Sequence, residues 1–157
     1  MDDVTIARLV HVLSIVLWIG GVGFVTTALL PVMRRFPNPA QRVGVFEAVE
    51  GRFSAQARLT VLLAGLSGLY MLIRTHTWYR FALPSFWWMD SMVMVWLIFA
   101  GLLFVLEPLV LHRRFATHAR RNPEGAFRVI YWFHVILLAI SLVTIAGAVA
   151  GSHGLLF

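Results

Sequence analysis

The side chains in this sequence that could do chemistry are a few polar residues that interrupt long apolar runs. In the first run, His11 is followed by Ser14, Trp18 and Gly21 at spacings of three and four, which place all four on one helix face. An ionisable side chain inside lipid costs free energy unless it meets a partner, so His11 either hydrogen-bonds a neighbouring helix or binds a cofactor. A glycine on the same face would let a helix or a flat cofactor approach closely.

A group of histidines and methionines is predicted near the same depth as His11. Imidazole and thioether groups bind haem iron or Cu(I), and the chain has no cysteine to compete with them. Methionine is also an ordinary packing residue of membrane cores, so a structural role stays open for each residue. The candidate metal ligands of this group are Met71, His76, Met92 and His153, with Met89 and Met94 close by.

A third set of polar residues lies toward the other end of the apolar runs. Glu107 and His134 are predicted at matching depths on neighbouring helices, where a contact would satisfy both groups, and Arg58 could join them. Such a set could be a structural pin, a proton path, or a carboxylate that orients a metal-binding imidazole. The residue types alone leave these three roles open.

The predicted depths of His11 and His134 limit how they can share a cofactor. Counted at about 1.5 Å per residue from the flanking arginines, in hydrocarbon about 30 Å thick, the two histidines differ by about 16 Å along the membrane normal. Two axial ligands of one haem iron lie only about 4 Å apart, because each bond is near 2 Å. We therefore predict one cofactor site at His11, or two sites at different depths with His134 in the second.

These residues must be positioned by membrane-spanning helices. The chain has 157 residues, of which 60% are hydrophobic and only 13% charged, and its mean hydropathy is +0.83. Soluble domains carry about 25% charged residues, so this composition excludes an ordinary soluble globular fold. We predict an all-α fold, a polytopic four-helix bundle that forms a single transmembrane domain over residues 1–157.

Four apolar runs give the predicted helices, with bounds of about 4–33, 55–74, 86–112 and 124–151. Between residues 40 and 54, apolar residues recur at helical spacing. This pattern predicts a cytoplasmic amphipathic segment that either lies on the membrane or runs straight into the second helix. The acidic start of the chain is unlike a signal peptide, so we expect the first apolar run to be retained as a span.

The placement of arginine predicts the topology. The net charge is +6, and all thirteen basic residues are arginines. Ten of them flank the connections between helices one and two and between helices three and four, against three on the other side. The positive-inside rule therefore predicts cytoplasmic connections at that end and both termini on the outer, periplasmic side of the inner membrane. This bias explains the positive charge without a nucleic-acid partner.

One stretch of the sequence resembles known membrane proteins. His11, Trp18 and Gly21 are followed by Arg52-Phe53-Ser54 at the entry to the second span, and then by Gly65 and Gly68. Over about the first 75 residues, this pattern resembles CopD-like copper-resistance proteins and HemJ-type proteins, which are haem proteins linked to protoporphyrinogen oxidation. The HemJ resemblance implies a four-helix core with His11 at or near haem, and the CopD resemblance implies that His11 and the outer methionines handle copper.

The leading functional prediction is a membrane-embedded haem b protein for electron transfer or a redox reaction near the outer face. The predicted cofactor-binding residues are His11, Trp18, Gly21, His76 and His134, with one haem or two. A copper-binding or copper-transporting protein is the first alternative, and a cofactor-free structural subunit of a membrane complex is the second. The expected partners are the lipid bilayer, a quinone or a redox protein, and further copies or subunits.

Overall fold

The computed structural model describes residues 3–35, 39–107 and 123–154, with the backbone alone for residues 39–43, 47, 123 and 126. Within these ranges the chain is helical apart from short turns, and no strand occurs. Helix α1 covers Asp3–Met33, α2 covers Pro39–Thr75, and α4 covers Pro123–Ser152. Helix α3 covers Trp87–Gly101 and continues through a wider segment to residue 107. Two 3-10 turns, Thr77–Ala82 and Pro84–Phe86, connect α2 to α3.

Helix α1 contains a π-helical segment over Val25–Leu29, and the sequence supplies a cause for it. Pro31 follows, and a proline has no N–H to donate and clashes with the carbonyl four residues earlier, so the helix widens before it. Thr26 and Thr27 donate their hydroxyl groups to carbonyls one turn earlier, at 2.7 and 2.8 Å. The threonine hydroxyls are thus satisfied inside the helix, as lipid requires.

Helix α2 is continuous from Pro39 to Thr75, so it begins about four turns before the predicted residue 55. The amphipathic segment 40–54 is its first part, and it runs straight into the span instead of lying on the membrane. Phe46 in this segment is fully buried, edge-on to Phe127 of α4 with ring centroids 5.5 Å apart. The segment packs against protein, which removes its need for the lipid surface.

The described part of helix α3 ends in a second π-helical segment, residues 102–107. Pro108 follows it in the sequence, so the same proline effect accounts for the widening. The predicted extension of this helix to residue 112 lies outside the described residues, as do most arginines of the second Arg-rich connection. Helix α4 begins and ends within one residue of its predicted bounds.

The four helices alternate in direction. At the start of α1, Asp3 pairs with Arg74 at the end of α2, with Oδ2 and Nη2 2.7 Å apart, and the Tyr70 hydroxyl donates to the same oxygen at 2.8 Å. At the start of α3, Trp88 lies against Gly151 at the end of α4. The start of α1, the end of α4 and residues 76–86 therefore share one end of the bundle. We call it the loop end, and we call the opposite end, with residues 34–35 and 128, the Arg end.

Aromatic rings packed against glycines join the helices. The indole of Trp96 on α3 lies over Gly65 of α2, where an added Cβ atom would come within 2.6 Å of it, and its Nε1 donates to the Val61 carbonyl at 2.8 Å. Trp87 lies over Gly147 in the same way. Only glycine admits a ring this close, so these positions fix the spacing of the helices. The main core cluster consists of Trp18, Ile19, Val22, Val61, Ala64, Val95, Phe99 and Leu137.

The outer faces of the bundle are apolar. Leu66 and Val129 are 64% and 69% exposed, and many other large apolar side chains are exposed with them. All four helices are long and apolar enough to cross a membrane. The chain is therefore a multi-pass membrane protein, and its described residues form a bundle of four helices.

The glycine contacts predict a specific stability difference. Gly65→Ala should lower the free energy of unfolding by about 1–3 kcal/mol, because the new methyl group would overlap the Trp96 ring. Gly101→Ala is the matched control, since a Cβ atom there meets nothing within 4 Å and alanine favours the helix. Unfolding in sodium dodecyl sulfate, followed by circular dichroism, measures both. Equal stability of the two variants would contradict the close Gly65–Trp96 packing.

The predicted orientation can be tested directly because the chain has no cysteine. Ser152→Cys lies at the loop end and Gly44→Cys at the Arg end, and both positions are exposed. A membrane-impermeant maleimide added to spheroplasts should label the first variant and leave the second unlabelled until the membrane is permeabilised. The reverse pattern would show that the arginine bias predicts the wrong orientation.

Candidate functional site

His11 lies between α1 and α2 and contacts α2 through its ring. Its Nδ1 atom is 2.8 Å from the carbonyl oxygen of Ala64 and 3.3 Å from the hydroxyl oxygen of Ser67. A Cβ atom added at Gly68 would come within 3.1 Å of His11 Cε1, so the imidazole rests against a position that only glycine fits easily. The sequence places a residue with no side chain where the ring must reach the α2 backbone.

The contact with Ala64 determines the tautomer of His11. A carbonyl oxygen can only accept a hydrogen bond, so Nδ1 carries the proton and donates it. In the neutral imidazole, Nε2 is then left with a lone pair. Metal-binding histidines are held in this way, with one ring nitrogen donating to a carbonyl or carboxylate and the other free to coordinate. Nε2 is therefore the one ring atom of neutral His11 that is free to accept a hydrogen bond or bind a metal.

Trp18 and Phe99 define how α1 faces α3. Trp18 is only 4% exposed, and its ring lies edge-on to Phe99 with centroids 4.8 Å apart. Two turns toward the loop end from this contact lie His11 on α1 and Met92 on α3. Seven residues turn a helix through about 700°, which is about 20° short of two full rotations. The Cα–Cβ bonds of His11 and Met92 therefore point in nearly the same directions as those of Trp18 and Phe99. By helical register, His11 and Met92 thus lie on the same faces of α1 and α3 as Trp18 and Phe99, while the His11 ring itself contacts α2.

Burial decreases along these faces toward the loop end. One turn from the Trp18–Phe99 contact, Ser14 and Val95 are still buried, at 3% and 8% exposed. One turn further, His11 and Met92 are half-buried. The face predicted from His11, Ser14 and Trp18 is thus turned into the bundle.

Gly21 and Trp18 have different surroundings from those expected of cofactor-binding residues. The flat group against Gly21 is the Phe53 ring of α2, so a helix packs there and the space for a flat cofactor is filled. Trp18 is a core residue, but its indole Nε1 is buried and has no acceptor among the described residues. This N–H is a donor that a bound group could satisfy.

The other candidate ligands near His11 differ in burial. Met71, one turn beyond Ser67 on α2, is half-buried like Met92. His76 is exposed in the connecting loop, with a left-handed backbone at φ 52°. His153 is exposed at the end of α4, where its Nδ1 lies 2.9 Å from the Val149 carbonyl oxygen of its own helix. Met92 and Met71 are therefore better placed than the two histidines to share a buried group with His11.

Glu107 is the centre of a polar cluster that joins α2 to α3. The Ser54 hydroxyl lies 2.6 Å from Oε1 and 2.5 Å from Oε2 of Glu107, and Arg58 Nη2 lies 3.1 Å from Oε1. Arg58 also donates from Nε to the Leu103 carbonyl at 3.3 Å, within the π-helical segment of α3. The predicted contact of Arg58 with Glu107 is present. Ser54 was not predicted, although it stands one turn before Arg58 on the same face of α2.

His134 lies apart from this cluster. Its Nδ1 is 2.9 Å from the Ile130 carbonyl oxygen one turn back on α4, and among the described residues the Glu107 carboxylate bonds to Ser54 and Arg58 instead. The predicted His134–Glu107 contact is therefore wrong. Each group is satisfied by another partner. His134 bonds to a backbone carbonyl of its own helix, and Glu107 bonds to a hydroxyl and a guanidinium of α2.

His11 and His134 also lie at different levels of the bundle. A Cβ atom added at Gly23 of α1 would be 3.9 Å from Leu138, one turn beyond His134 on α4. Since α1 and α4 run in opposite directions, His134 lies near the level of Thr27, about 24 Å from His11 along the bundle. One haem iron cannot bind both histidines at this separation.

The described residues contain no group of three His, Asp or Glu side chains arranged to hold a metal ion. Within that part of the chain, a centre with three such ligands is therefore not supported. A site with one imidazole and a thioether ligand needs no such cluster. Among the candidate ligands near the loop end, His11 is the one half-buried between helices whose ring orientation is fixed by a hydrogen bond to a neighbouring helix.

No protein-family model matches this chain, and no curated protein or solved structure matches it. The resemblance to CopD-like and HemJ-type proteins stays a prediction from the sequence. Two geometric features can bear on function: the orientation of the His11 imidazole and the cluster around Glu107.

The Glu107 cluster makes a measurable contribution to stability. Glu107→Gln should lower the free energy of unfolding by about 1–3 kcal/mol, because Arg58 loses its carboxylate partner within the span. Asp90→Asn is the matched control, since Asp90 is an exposed carboxylate in the first turn of α3. Denaturation in sodium dodecyl sulfate compares the two with the unsubstituted chain. If Glu107→Gln is as stable as Asp90→Asn, the cluster does not hold α2 against α3.

Proposed function

We propose that this protein is a membrane haem b protein that transfers electrons near its loop end, and that His11 and Met92 would hold the iron. The observation that carries the proposal is the His11 imidazole, whose Nδ1 is bonded to the Ala64 carbonyl so that Nε2 is free. Met92 is chosen as its partner because it lies two turns from Phe99 on the same face of α3. The resemblance of the first 75 residues to HemJ-type proteins points in the same direction.

The residues present fit such a group. His11 offers Nε2 as a lone pair, because its Nδ1–H is engaged by the Ala64 carbonyl. Trp18 offers a buried N–H that has no acceptor among the described residues. The chain has no cysteine thiolate that could replace the histidine as ligand. A histidine and a methionine are a known axial pair of haem iron, and this pair favours the reduced form relative to two histidines.

Bound haem b would supply one-electron exchange at iron, and the chain's own residues would set its position and potential. The Ala64 carbonyl fixes the plane of the His11 imidazole and makes Nε2 a better donor. Gly68 keeps the space beside that ring free of a side chain. The buried Trp18–Phe99 contact closes the space toward the Arg end and excludes water from that direction.

The setting of the proposal follows from the membrane topology. If the positive-inside rule holds, the His11 level lies in the outer leaflet of the inner membrane, where a quinone or a periplasmic redox protein can exchange electrons with the site. The second site predicted at His134 would lie in the other leaflet. Its Nδ1 is likewise bonded to a carbonyl, which leaves Nε2 free in the same tautomer.

The absorbance spectrum of the purified protein tests the proposal. The unsubstituted chain should show reduced-minus-oxidised bands of a b-type haem, and His11→Ala should lose about tenfold or more of its haem. Met92→Leu should keep haem with shifted bands and a lower midpoint potential, because a thioether ligand raises the potential. His153→Gln is the matched control, an exposed histidine at the loop end whose variant should keep both the haem and the bands.

Three results would overturn this assignment. Unchanged bands in His11→Ala would show that another residue binds the haem. Stoichiometric copper with no haem bands would favour the copper-binding alternative, which uses the same imidazole and thioether donors. Neither haem nor copper would favour a structural subunit whose ring-to-glycine contacts serve packing alone.

A further inference from the structure

A groove runs along the outside of the α1–α2 pair in the half of the bundle nearer the Arg end. Its volume is about 440 Å³, within the range of small-molecule sites. Its walls are mainly apolar, with Val16, Leu17 and Phe24 from α1 and Val49 from α2. Two polar side chains of α2, Arg52 and Gln56, line its other side. The groove faces lipid, so its natural occupants are molecules of the bilayer.

Counted along α2 from its loop end, Arg52 lies near the far boundary of the hydrocarbon. Arg74, paired with Asp3, marks the loop end of α2. Arg52 lies about 33 Å from Arg74 along the same helix, and the hydrocarbon of a bilayer is about 30 Å thick. The long side chain of Arg52 can extend its guanidinium further toward the surface. Gly21 lies against Phe53 and Leu17 against Gln56. Arg52 is therefore near the level of Val22, and the apolar part of the groove from there to Val16 extends about 9 Å deeper.

The charge of Arg52 contrasts with that of Arg58. Arg58, about 9 Å deeper along α2, is neutralised by Glu107 on α3. Arg52 is exposed, and no carboxylate of a described side chain lies within 4 Å of it. A cation at this depth is complemented by the phosphate of a lipid.

The floor of the groove is open at Gly20. A Cβ atom added there meets nothing within 4 Å, whereas one added at the adjacent Gly21 would overlap the Phe53 ring. Gly20 is exposed, and Gln56 Nε2 lies 3.4 Å from the Leu17 carbonyl oxygen beside it. Gly20 thus leaves a channel along α1 that a side chain would fill without disturbing the helix packing.

We propose that this groove is a binding site for one anionic phospholipid. The phosphate lies on the Arg52 guanidinium, and one acyl chain lies along Gly20 between Val16 and Phe24. The apolar walls alone would accept any lipid, so the specificity for an anionic headgroup comes from Arg52. The site is separate from the proposed haem site, because His11 is not among the groove residues.

Native mass spectrometry of the full chain in detergent, with defined lipids added, tests this proposal. At equal concentrations of phosphatidylglycerol and phosphatidylcholine, the one-lipid adduct should favour phosphatidylglycerol by about fivefold, the contribution of one arginine near the surface. Arg52→Gln should bring the ratio close to one, and Arg52→Lys should keep most of the preference. Gly20→Leu should remove most of both adducts.

Two matched controls separate the groove from general effects. Arg35→Gln removes another exposed arginine at the Arg end, and Gly101→Leu adds a leucine at a glycine that also has open space around it. Both should bind lipid like the unsubstituted chain, and circular dichroism should show that all variants keep their helices. An unfolded Gly20→Leu protein would itself contradict the open space at Gly20.

Other occupants give different results. Equal adducts of both lipids in the unsubstituted chain, or an unchanged preference in Arg52→Gln, would overturn the proposal. A dimer that Gly20→Leu dissociates, with no retained lipid, would show that a second copy of the chain fills the groove. Displacement of phosphatidylglycerol by an equal concentration of a neutral isoprenoid quinone, independent of Arg52, would show that the groove selects a tail and not a headgroup.

Discussion

Inside a bilayer every polar group must find its partner within the protein, and the hydrogen bond from His11 Nδ1 to the Ala64 carbonyl is where this constraint shapes the molecule most. The bond requires α1 and α2 to lie close, which Gly68 permits beneath the ring and Gly21 permits at the Phe53 ring. It fixes the tautomer and orientation of the one histidine in α1. The position of α1 relative to α3 is set separately, by the contact of Trp18 with Phe99.

The same constraint explains the Glu107 cluster and the contrast between the two arginines of α2. Arg58 lies within the span and is paired with Glu107, while Arg52, about 9 Å nearer the Arg end, has the headgroup layer within reach. The Ser54 hydroxyl donates to the same carboxylate and lies within hydrogen-bond distance of both of its oxygens. The charge of Arg58 is thus neutralised within the bundle, while that of Arg52 is exposed to the lipid. Along α2, a structural polar site and a lipid-facing site are therefore separate.

The fold could be predicted from sequence further than the site could. Long apolar runs specify spanning helices because lipid leaves few alternatives, and the ends of α1 and α4 followed from them. For residues 40–54 the sequence left two alternatives open, because the burial of Phe46 against Phe127, which favours a helix continuous with the span, is a contact between helices distant in sequence. For the same reason Gly21 could be identified as a close-approach position but not assigned to the Phe53 ring, and Glu107 was assigned to His134 instead of Ser54.

The most direct test is to determine which nitrogen of the His11 imidazole carries the proton. Nitrogen-15 NMR of histidine-labelled, metal-free protein in detergent micelles measures this. The resonances are assigned by their loss in His11→Gln. We predict a neutral ring in which Nδ1 carries the proton and donates it to the Ala64 carbonyl, and in which Nε2 is unprotonated. A proton on Nε2 with a bare Nδ1 would contradict it, because the ring would then lack both its anchor and its free ligand atom.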